Sequence, residues 1–351
     1  MQDQRVLKFS YVRLDGKVAG REMLAENNSK MIREIFGDRL IEITARSAGE
    51  KGLVQKIFQL VGWLDGLNPA LVRKCINTIQ EEKCSLVYIE GSNYGNLAKI
   101  IKRNCPSCRV VCFFHNVESR FFWGALRQNP SIKALGVLIA NFFAERKAVK
   151  YSDELICLTE RDKEFLGRLY GKKGDHVVPI SVVKKVGAPV QHPDSLPSSE
   201  QQFGLFVGGA FYANVEAVRW LAKNNLAKRS CPIYVIGRGF ERYIEEFSDY
   251  DNLIIIGEVD SVESWYSRAS FSIAPIFDGS GMKTKVAESL MYGLPILATS
   301  EAFVGYEDVK KDAGFICNTP EEFDVAISRI LDGSRIFDKN ELRMIFNSKF
   351  S

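Results

Sequence analysis

The chain has 351 residues, of which 46% are hydrophobic and 26% charged, and its formal net charge is +4. This composition excludes a disordered or fibrous protein, and the length allows two domains, since domains typically have roughly 100–200 residues. The N-terminal sequence MQDQRVLKF lacks the apolar run of a secretory signal. The uncharged apolar stretch at residues 134–144 is shorter than the roughly 20 residues of a membrane-spanning helix. We therefore expect a cytoplasmic protein without a membrane span.

The positive charge is concentrated in the first part of the chain. Residues 1–200 contain 31 Lys and Arg against 22 Asp and Glu, whereas residues 201–351 contain 16 against 21. A basic half can bind nucleic acid, anionic lipid or a phosphorylated small molecule, or can simply be a solvated surface. The basic residues are dispersed and match no module typical of nucleic-acid recognition, so we expect no nucleic-acid partner.

Eight cysteines in a chain of this length, without a secretory signal, indicate reduced thiols that pack in the core. Cys105 and Cys108 form a CxxC pair. No second pair or histidine cluster stands at metal-ligand spacing, so we predict a turn before a strand and no metal site.

Five apolar runs in the first half alternate with segments of helical period, and they cover residues 5–12, 39–44, 85–90, 109–115 and 154–158. This alternation predicts βαβ units and a parallel sheet. Two of the helices have start signals, namely Asn68 before a proline and Thr159 before Asp162. Residues 1–186 are therefore predicted to form one doubly wound domain.

A surface linker is predicted at residues 187–202, where the periodicity gives way to Pro, Ser and Gly. Apolar runs then resume, each followed by a helical stretch, at residues 203–209, 232–237, 252–257, 270–276 and 294–299. Residues 203–335 are predicted to form a second doubly wound domain. Ligands of such sheets bind beyond the carboxyl ends of the strands, so the loops there are the candidate sites.

One of these loops carries most of the chemical information, in the sequence PIFDGSGMKTKVAESLMYGLPILAT (275–299). Gly279 and Gly281 allow backbone N–H groups to approach a ligand, and a helix that begins near Met282 would offer its unpaired amides to a phosphate. Lys283 and Lys285 in its first turn oppose the helix dipole, which is easier to explain if they bind a phosphate.

Glu288 lies one helical turn after Lys285, so the two side chains can contact opposite ends of a nucleotide, with the carboxylate accepting from ribose hydroxyls. A salt bridge between them, worth a few tenths of a kcal/mol, explains the same spacing equally well. The loop matches neither the GxxxxGK[ST] of P-loop NTPases nor the GxGxxG of dinucleotide-binding enzymes.

Two further features allow more than one interpretation. His115 ends a buried strand, where histidine is more often structural than catalytic, although the carboxyl edge of the sheet favours a functional role. Asn116 after it is suited to begin a turn. The DxD triplet 249–251 is of the kind that holds a divalent metal in some sugar-transfer enzymes, but it precedes a strand, so we interpret it as a turn.

These residues together resemble a known family. The segments VGGAFYANVEAVRWL (207–221), VIGRGFE (235–241) and 254–306 are similar to the nucleotide-sugar-binding domain of GT-B fold glycosyltransferases, in particular glycosyltransferase family 4 (glycosyl transferases group 1). In the first half, FFHNVESRFFW (113–123) and AERKAVKYSDELICLTERD (144–162) resemble segments of the same family.

The resemblance implies an α/β protein of the GT-B class, with two Rossmann-like domains facing across a cleft. It implies a C-terminal tail, residues 336–351, that packs back toward the first domain. It also implies transfer of a sugar from a nucleotide diphosphate donor with retention at the anomeric carbon, without a cofactor or a required metal. Stabilisation of the departing diphosphate by fixed cations and helix amides would then be the main catalytic contribution.

The same resemblance implies roles for individual residues. Lys285 would hold the donor diphosphate, Glu288 the ribose hydroxyls, and His115 would lie by the donor sugar, which makes these three the candidate catalytic residues. Val259 would contact the base through its backbone. The candidate donor-binding residues are Gly209, Arg238, Val259, Asp278, Gly279, Ser280, Gly281, Met282, Lys283 and Thr284. The acceptor-side candidates are Gly16, Asn116 and Arg120.

The sequence departs from the family pattern at two places. Members usually have two glutamates separated by seven residues, but Ser280 stands where the first is expected before Glu288, with Asp278 nearby. That glutamate usually contacts the donor sugar, so the identity of the sugar is not predicted. The segment GGAFYAN (208–214) lacks the Arg and Lys common after the first strand of this domain, which leaves more of the phosphate charge to Lys283 and Lys285.

Cytosolic enzymes of this kind often build polysaccharide on a polyprenyl-diphosphate lipid, and a basic first half suits such an acceptor at an anionic surface. Residues 53–67 and 120–143 combine aromatic residues with sparse charge, as do both interfacial helices and helices buried on a sheet. The second segment, which contains Arg120, is the better candidate for an acceptor lip. We expect a nucleotide-sugar donor, a glycan or polyprenyl-diphosphate-linked acceptor, and peripheral contact with the inner face of the cytoplasmic membrane.

Three hypotheses remain from the sequence. The leading one is a retaining glycosyltransferase that uses a UDP- or GDP-linked hexose in the synthesis of a bacterial surface polysaccharide. The second is a GT-B fold epimerase that acts on the nucleotide sugar itself, for which Glu90 and Glu118 are the candidate acid–base residues. The third is a degenerate relative that binds a nucleotide without turnover.

Overall fold

The computed structural model describes residues 5–12, 20–46, 58–183, 196–198, 200–226 and 231–351. The chain divides into two units, Met1–Ser181 and Val182–Ser351. This division precedes the predicted linker at 187–202, most of which lies outside the described residues. Each unit contains one six-stranded sheet in which neighbouring strands are parallel. The predicted α/β class is confirmed.

The first unit alternates strands and helices along the chain. Its strands are β1 (Val6–Val12), β2 (Leu40–Arg46), β3 (Leu86–Glu90), β4 (Arg109–Phe114), β5 (Glu154–Cys157) and β6 (His176–Val177). Its helices are α1 (Gly20–Phe36), α2 (Pro69–Glu81), α3 (Gly95–Asn104), α4 (Glu118–Gln128), α5 (Ile132–Tyr151) and α6 (Glu160–Tyr170). The strand order β2-β1-β3-β4-β5-β6 reverses between β1 and β3, which makes the sheet doubly wound.

Local sequence explains where the helices of this unit begin. The Asn68 side chain accepts a hydrogen bond from the Leu71 N–H at 3.0 Å, with proline at the first helical position of α2. Thr159 caps α6 by accepting from the Asp162 N–H at 3.0 Å. Both caps satisfy amides that the first turn leaves unpaired. The two predicted helix starts are confirmed.

The second unit has the same alternation. Its strands are β7 (Gly204–Val207), β8 (Ile233–Ile236), β9 (Leu253–Gly257), β10 (Phe271–Ala274), β11 (Ile296–Ala298) and β12 (Gly314–Ile316). Its helices are α7 (Tyr212–Lys223), α8 (Glu263–Arg268), α9 (Thr284–Tyr292), α10 (Lys310–Ala313), α11 (Pro320–Leu331) and α12 (Lys339–Lys349). The strand order β12-β11-β10-β7-β8-β9 reverses between β7 and β10.

One prediction about this unit is wrong, and one helix start lies two residues from the expected position. The stretch after β8 forms two short 3₁₀ helices, Phe240–Tyr243 and Glu245–Phe247, instead of an α-helix. Gly237 and Gly239 precede it with φ of +147° and +90°, so the chain enters the segment in a turn and not in a helical conformation. In addition, α9 begins at Thr284, two residues after the predicted start, which puts Lys283 at the N-cap.

The C-terminal residues 336–351 contain α12, which packs on α9 within the second unit. A Cβ on Gly293, at the end of α9, would lie 2.6 Å from the carbonyl oxygen of Lys339. Gly293 therefore allows a close approach of the two helices. Further along α12, Arg343 donates to the carbonyl of Tyr292 at 3.3 Å.

Candidate functional site

Two loops meet where the strand order of the second sheet reverses. β7 and β10 are neighbours there, and they lead at their carboxyl ends into Gly208-Gly209 and into residues 275–283. In doubly wound sheets such a reversal leaves a crevice that binds ligands. α7 follows the first loop and supplies Asn214, and α9 follows the second and supplies Lys285 and Glu288.

Lys285 is buried, with 6% of its surface exposed. Its Nζ donates to Oδ1 of Asn214 at 2.7 Å and lies 4.2 Å from the ring centroid of Phe206. Burial lowers the pKa of Lys285 from 10.5 to about 7, while Glu288 raises it and Lys283 lowers it. The direct partners of the ammonium are thus a neutral amide and an aromatic face. A buried cation in such surroundings is well suited to bind an anion.

Glu288 has a different partner from Lys285. Its Oε2 accepts a hydrogen bond from the Tyr266 hydroxyl at 3.0 Å, and the Tyr266 ring stacks on Tyr292 with centroids 4.9 Å apart. Burial raises the pKa of Glu288, and the Tyr266 hydroxyl and Lys285 oppose this effect. The salt bridge that the spacing allowed does not form among the described residues, because each side chain is held by a different neighbour.

The glycine loop, residues 278–283, lies between β10 and α9. Gly281 has a φ of +65°, which favours glycine, and the Asp278 carboxylate accepts from the Gly279 N–H at 2.8 Å. Nζ of Lys283 donates to the Gly281 carbonyl at 3.1 Å and lies 3.2 Å from Oε1 of Glu301. Lys283 therefore has a carboxylate beside it, whereas no carboxylate in the described part of the chain contacts Lys285 directly.

The loops after β7 and β8 lie against each other. The Gly208 N–H donates to the Ile236 carbonyl, and the Ala210 N–H donates to the Arg238 carbonyl, both at 2.9 Å. A Cβ on Gly237 would lie only 1.9 Å from the Gly208 carbonyl oxygen. Glycine at position 237 is therefore required for this close approach.

Glu241 joins the loop after β8 to the loop after β9. Its carboxylate accepts from the Gly239 N–H at 2.7 Å and from the Glu258 N–H at 2.6 Å. Burial tends to raise the pKa of Glu241, but the hydrogen bonds from backbone N–H groups lower it overall. Val259, next in the second loop, is half-buried against a cluster that includes Trp265.

The structure brings the predicted second-domain residues to the carboxyl edge of one sheet. Gly209, Arg238 and Val259 follow β7, β8 and β9, and the others follow β10. Met282 is buried, while Ser280 and Thr284 are half-buried. Thr284 is the first residue of α9, so its N–H is among the amides that the helix leaves unpaired.

In the first domain, His115 follows β4 next to a buried pair of charges. Its Nε2 lies 3.0 Å from Oε1 of Glu90, which also accepts from the Asn28 amide at 2.9 Å. Oε2 of Glu90 lies 3.4 Å from Nζ of Lys8 on β1. These four side chains are at most 9% exposed. Among the described residues, neither ring nitrogen of His115 has a hydrogen bond of good geometry, so the ring retains unused hydrogen-bonding capacity.

The two acid–base candidates of the epimerase hypothesis have local roles. Glu90 is held by Lys8 and Asn28. The Glu118 N–H, at the start of α4, donates to the buried carboxylate of Glu145 at 2.9 Å. Glu145 also accepts from the Tyr170 hydroxyl at 2.8 Å, and burial raises its pKa while these hydrogen bonds oppose the effect. A carboxylate at this helix end satisfies amides that would otherwise be unpaired.

The acceptor-side candidates are only partly described. Asn116 is half-buried, and its Oδ1 has no hydrogen-bond partner among the described residues. The Arg120 guanidinium lies 5.8 Å from the ring centroid of Phe165. Gly16 lies outside the described residues.

Four other sequence features have plain structural outcomes. The DxD triplet 249–251 lies in a turn, closed by the Leu253 N–H donating to the Tyr250 carbonyl at 2.9 Å, as predicted. Cys105 and Cys108 are buried and free, and burial raises the pKa of Cys108 to about 12. Within the described ranges, no three His, Cys, Asp or Glu residues are grouped to hold a metal ion. In the same ranges, no helix has the length and apolar character needed to span a bilayer.

The second domain is similar to a known family. Residues 202–333 match the family described as "Glycosyl transferases group 1". This match covers the loops after β7, β8, β9 and β10 as well as α7 and α9. Residues 202–333 therefore resemble glycosyl transferases group 1.

Two curated Escherichia coli proteins resemble nearly the whole chain. They are the O-antigen biosynthesis glycosyltransferase WbnH and the probable O-antigen biosynthesis glycosyltransferase WbiN. Each is 19% identical over 332 residues, which cover 93% of this chain and 91% of the relative. The group 1 domain and the preceding domain are thus both represented in these relatives.

Solved structures share the architecture at low identity. Sucrose-phosphate synthase from Thermosynechococcus elongatus has a TM-score of 0.75 at 15% identity, with 99% of this chain and 95% of that chain covered. Anabaena HepE in complex with UDP has a TM-score of 0.67 at 14% identity, with 99% and 96% covered. The lipopolysaccharide outer core galactosyltransferase WaaB has a TM-score of 0.61 at 13% identity, with the same coverage. Together with the two doubly wound domains, these likenesses establish the GT-B fold.

Sequence reasoning missed three residues of these arrangements. Asn214 binds Lys285 across 71 positions of the chain, and Tyr266 binds Glu288 across 22, so no local pattern connects either pair. Lys8 gave a detectable signal, because it is the one charged residue in the mostly apolar strand VLKFSYV. A lysine in such a strand needs a buried partner, and Glu90 at the end of β3 provides it.

Proposed function

We propose that the protein is a retaining glycosyltransferase that transfers a hexose from a nucleotide diphosphate sugar to a glycan or lipid-linked acceptor in bacterial surface polysaccharide synthesis. The observation that carries this proposal is Lys285, a buried lysine with no carboxylate of the described residues in direct contact, where the strand order of the second sheet reverses. The O-antigen assignments of WbnH and WbiN support the polysaccharide pathway.

In this proposal the donor binds at the carboxyl edge of the second sheet. Lys285 contacts the diphosphate, and the unpaired amides at the start of α9 add positive partial charge beside it. Glu288 accepts from the ribose hydroxyls, with the Tyr266 hydroxyl holding its carboxylate in place. HepE was solved with UDP and with UDP-glucose, which favours a uridine diphosphate donor over a guanosine one.

The reaction would depend on stabilisation of the leaving group. As the bond from the sugar to the diphosphate breaks, negative charge accumulates on the departing phosphate oxygens. Lys285 and the α9 amides are fixed in place before the reaction, so they stabilise this charge without reorganisation. These protein groups would stabilise the leaving group with no metal required.

We also propose that the first domain contacts an anionic membrane where a polyprenyl-linked acceptor would reside. Large apolar side chains are exposed on this domain at Phe58, Leu60, Val61, Trp123, Ile132, Leu135, Ile139 and Phe143. Leu135, Ile139 and Phe143 recur every four residues on one face of α5, and Leu60 lies beside Gly136 of the same helix. Such a face, in the basic part of the chain, is typical of interfacial binding.

Binding to vesicles of phosphatidylglycerol and phosphatidylethanolamine tests the membrane contact. The double variant Ile139→Glu, Phe143→Glu should lower the sedimented fraction several-fold, because it places two charges in the apolar face. The control Ile336→Glu changes a residue of the second domain that is 80% exposed, and should sediment like the wild type. Equal sedimentation of all three proteins would contradict the proposed contact.

Calorimetric titration with UDP, GDP, CDP and ADP in the absence of metal tests the donor site. UDP should bind best, and Lys285→Ala should weaken its binding at least tenfold, because a charge-assisted contact to phosphate is lost. Lys223→Ala, at an exposed lysine at the end of α7, should bind like the wild type. If no nucleotide diphosphate binds at millimolar concentration, or if Lys285→Ala binds unchanged, the proposed donor site is wrong.

Product analysis separates the three hypotheses. A retaining transferase gives a glycoside with the anomeric configuration of the donor, which NMR spectroscopy reads directly. An epimerised nucleotide sugar formed without an acceptor would favour the epimerase. Nucleotide binding without turnover on any acceptor would favour the degenerate relative.

A further inference from the structure

Asn214 is held between two groups that fix the direction of its side-chain amide. Its Nδ2 donates to the carbonyl of Gly209 at 2.7 Å, and its Oδ1 accepts from Nζ of Lys285 at 2.7 Å. The residue is 2% exposed. A carbonyl can only accept and an ammonium can only donate, so the amide cannot be reversed without losing both contacts.

The remaining surroundings of Lys285 are compact. The Phe206 ring lies under its ammonium, and a Cβ on Gly208 would lie 3.2 Å from Nζ and 2.5 Å from Nδ2 of Asn214. Gly208 therefore leaves room for the amide and the ammonium side by side. The described residues that contact the ammonium carry no formal charge.

We propose that Asn214 is a positioning residue that aims the Lys285 ammonium at the diphosphate of a nucleotide while leaving the lysine's charge available to it. This inference rests on the proposed function, since it concerns the same donor site. An amide is the suitable group here, because it supplies a strong acceptor without a negative charge. An aspartate of similar size would pair with the lysine and repel a diphosphate.

The pH dependence of UDP affinity, which follows the titration of Lys285, is a measurement that a purely structural role of Asn214 would leave unchanged. The charged groups that act on its ammonium are Glu288 on the same helix and Lys283 in the preceding loop. Burial holds the pKa of Lys285 at about 7, so UDP affinity should fall as the pH rises from 6.5 to 8.5 and the free lysine loses its proton. A carboxylate at position 214 would raise this pKa and move the fall in affinity to higher pH.

The experiment measures binding of UDP, uridine and inorganic pyrophosphate by calorimetry across this pH range. The proteins are the wild type, Asn214→Leu, Asn214→Asp and the control Asn224→Leu. Asn224 is half-buried at the end of the same helix and donates to the Trp220 carbonyl at 2.8 Å. Both variants at position 214 should bind UDP and pyrophosphate at least tenfold more weakly, with uridine affinity changed less than twofold. The control should match the wild type, and only Asn214→Asp should shift the pH profile upward.

The other possible results show whether the positioning role of Asn214, the proposed function, or both are wrong. If the wild type binds UDP and both variants keep the wild-type ratio of UDP to uridine affinity, the positioning role is wrong and the donor site stands. If pyrophosphate binds in an Asn214-dependent manner but no nucleoside diphosphate binds, the anion site stands and the proposed function is wrong. If the wild type binds neither ligand, both are wrong.

Discussion

Lys285→Met is expected to make the ligand-free protein more stable than the wild type while removing the stabilisation by UDP. Methionine has a similar length and suits the buried position over Phe206, whereas the lysine must be desolvated there. Each pKa unit corresponds to about 1.4 kcal/mol, so the lowered pKa of Lys285 indicates that its burial costs several kcal/mol. Part of the gain is lost because Oδ1 of Asn214 loses its donor, at about 1 kcal/mol. We expect a net gain of about 2–4 kcal/mol in the free energy of unfolding.

This gain should depend on pH in a defined direction. Between pH 7 and 10.5 the unfolded chain keeps this lysine protonated, whereas the folded protein has largely lost the proton. The unfolded state then binds more protons, so the free energy of unfolding of the wild type rises with pH in this window. Methionine does not titrate. The advantage of the variant should therefore be largest at or below pH 7 and should vanish toward pH 10.5.

Urea unfolding of the full chain at pH 6.5, 8 and 9.5 measures both effects, with Lys223→Met as the control. Lys223 is exposed, so its replacement should change the free energy of unfolding by less than about 0.5 kcal/mol at every pH. A Lys285→Met protein that is less stable than the wild type would contradict the prediction. A gain that is constant with pH would mean that the lysine does not titrate near neutrality.

Breaking the buried pair of Lys8 and Glu90 is expected to be the most destabilising change in the first domain. Their side chains are 0% and 1% exposed and lie 3.4 Å apart. Glu90→Gln removes the carboxylate that pairs with the Lys8 ammonium. Lys8→Met removes the ammonium that pairs with the Glu90 carboxylate. Each single change should lower the free energy of unfolding by about 3–5 kcal/mol.

The double variant should lose less than either single variant, because no uncompensated charge then remains and the glutamine can still accept from Asn28. Urea unfolding of the four proteins gives the coupling energy. The matched cycle uses Lys173 and Glu164, which are 2.8 Å apart and largely exposed, and its coupling should stay below about 1 kcal/mol. Additive losses at Lys8 and Glu90 would mean that the two charges do not stabilise each other.

Local sequence signals predicted most of the architecture. The apolar runs fall on observed strands, since strands buried on both faces of a parallel sheet are apolar over most of their length. Asn68 and Thr159 begin helices because their side chains satisfy amides within three residues, a relation that the sequence displays directly. The segment after β8 was mispredicted because two glycines before it set a turn, while its composition remained that of a helix.

The candidate site likewise combines residues that are close in sequence with partners that are distant in sequence. The glycine loop, Lys285 and Glu288 lie within eleven positions of one another, and their motif predicted the edge of the sheet at which they lie. Spacing left undecided whether Lys285 and Glu288 pair with each other. The fold decided it by bringing Asn214 from α7 to one and Tyr266 from α8 to the other.

The sequence by itself therefore determined the class of fold, the two domains of βαβ units and the loop that carries the lysine. Each of these depends on periodicity, caps and glycines, which act over a few residues. Only the tertiary structure decided the partners and the charge state of the buried groups. Burial lowers the pKa of Lys285 to about 7, and Glu90 lies beside Lys8 as its counter-charge. Both effects arise because desolvation and Coulomb energy depend on what surrounds an atom in space. Those surroundings come from β1, β3, β7 and α7, which are far from one another along the chain.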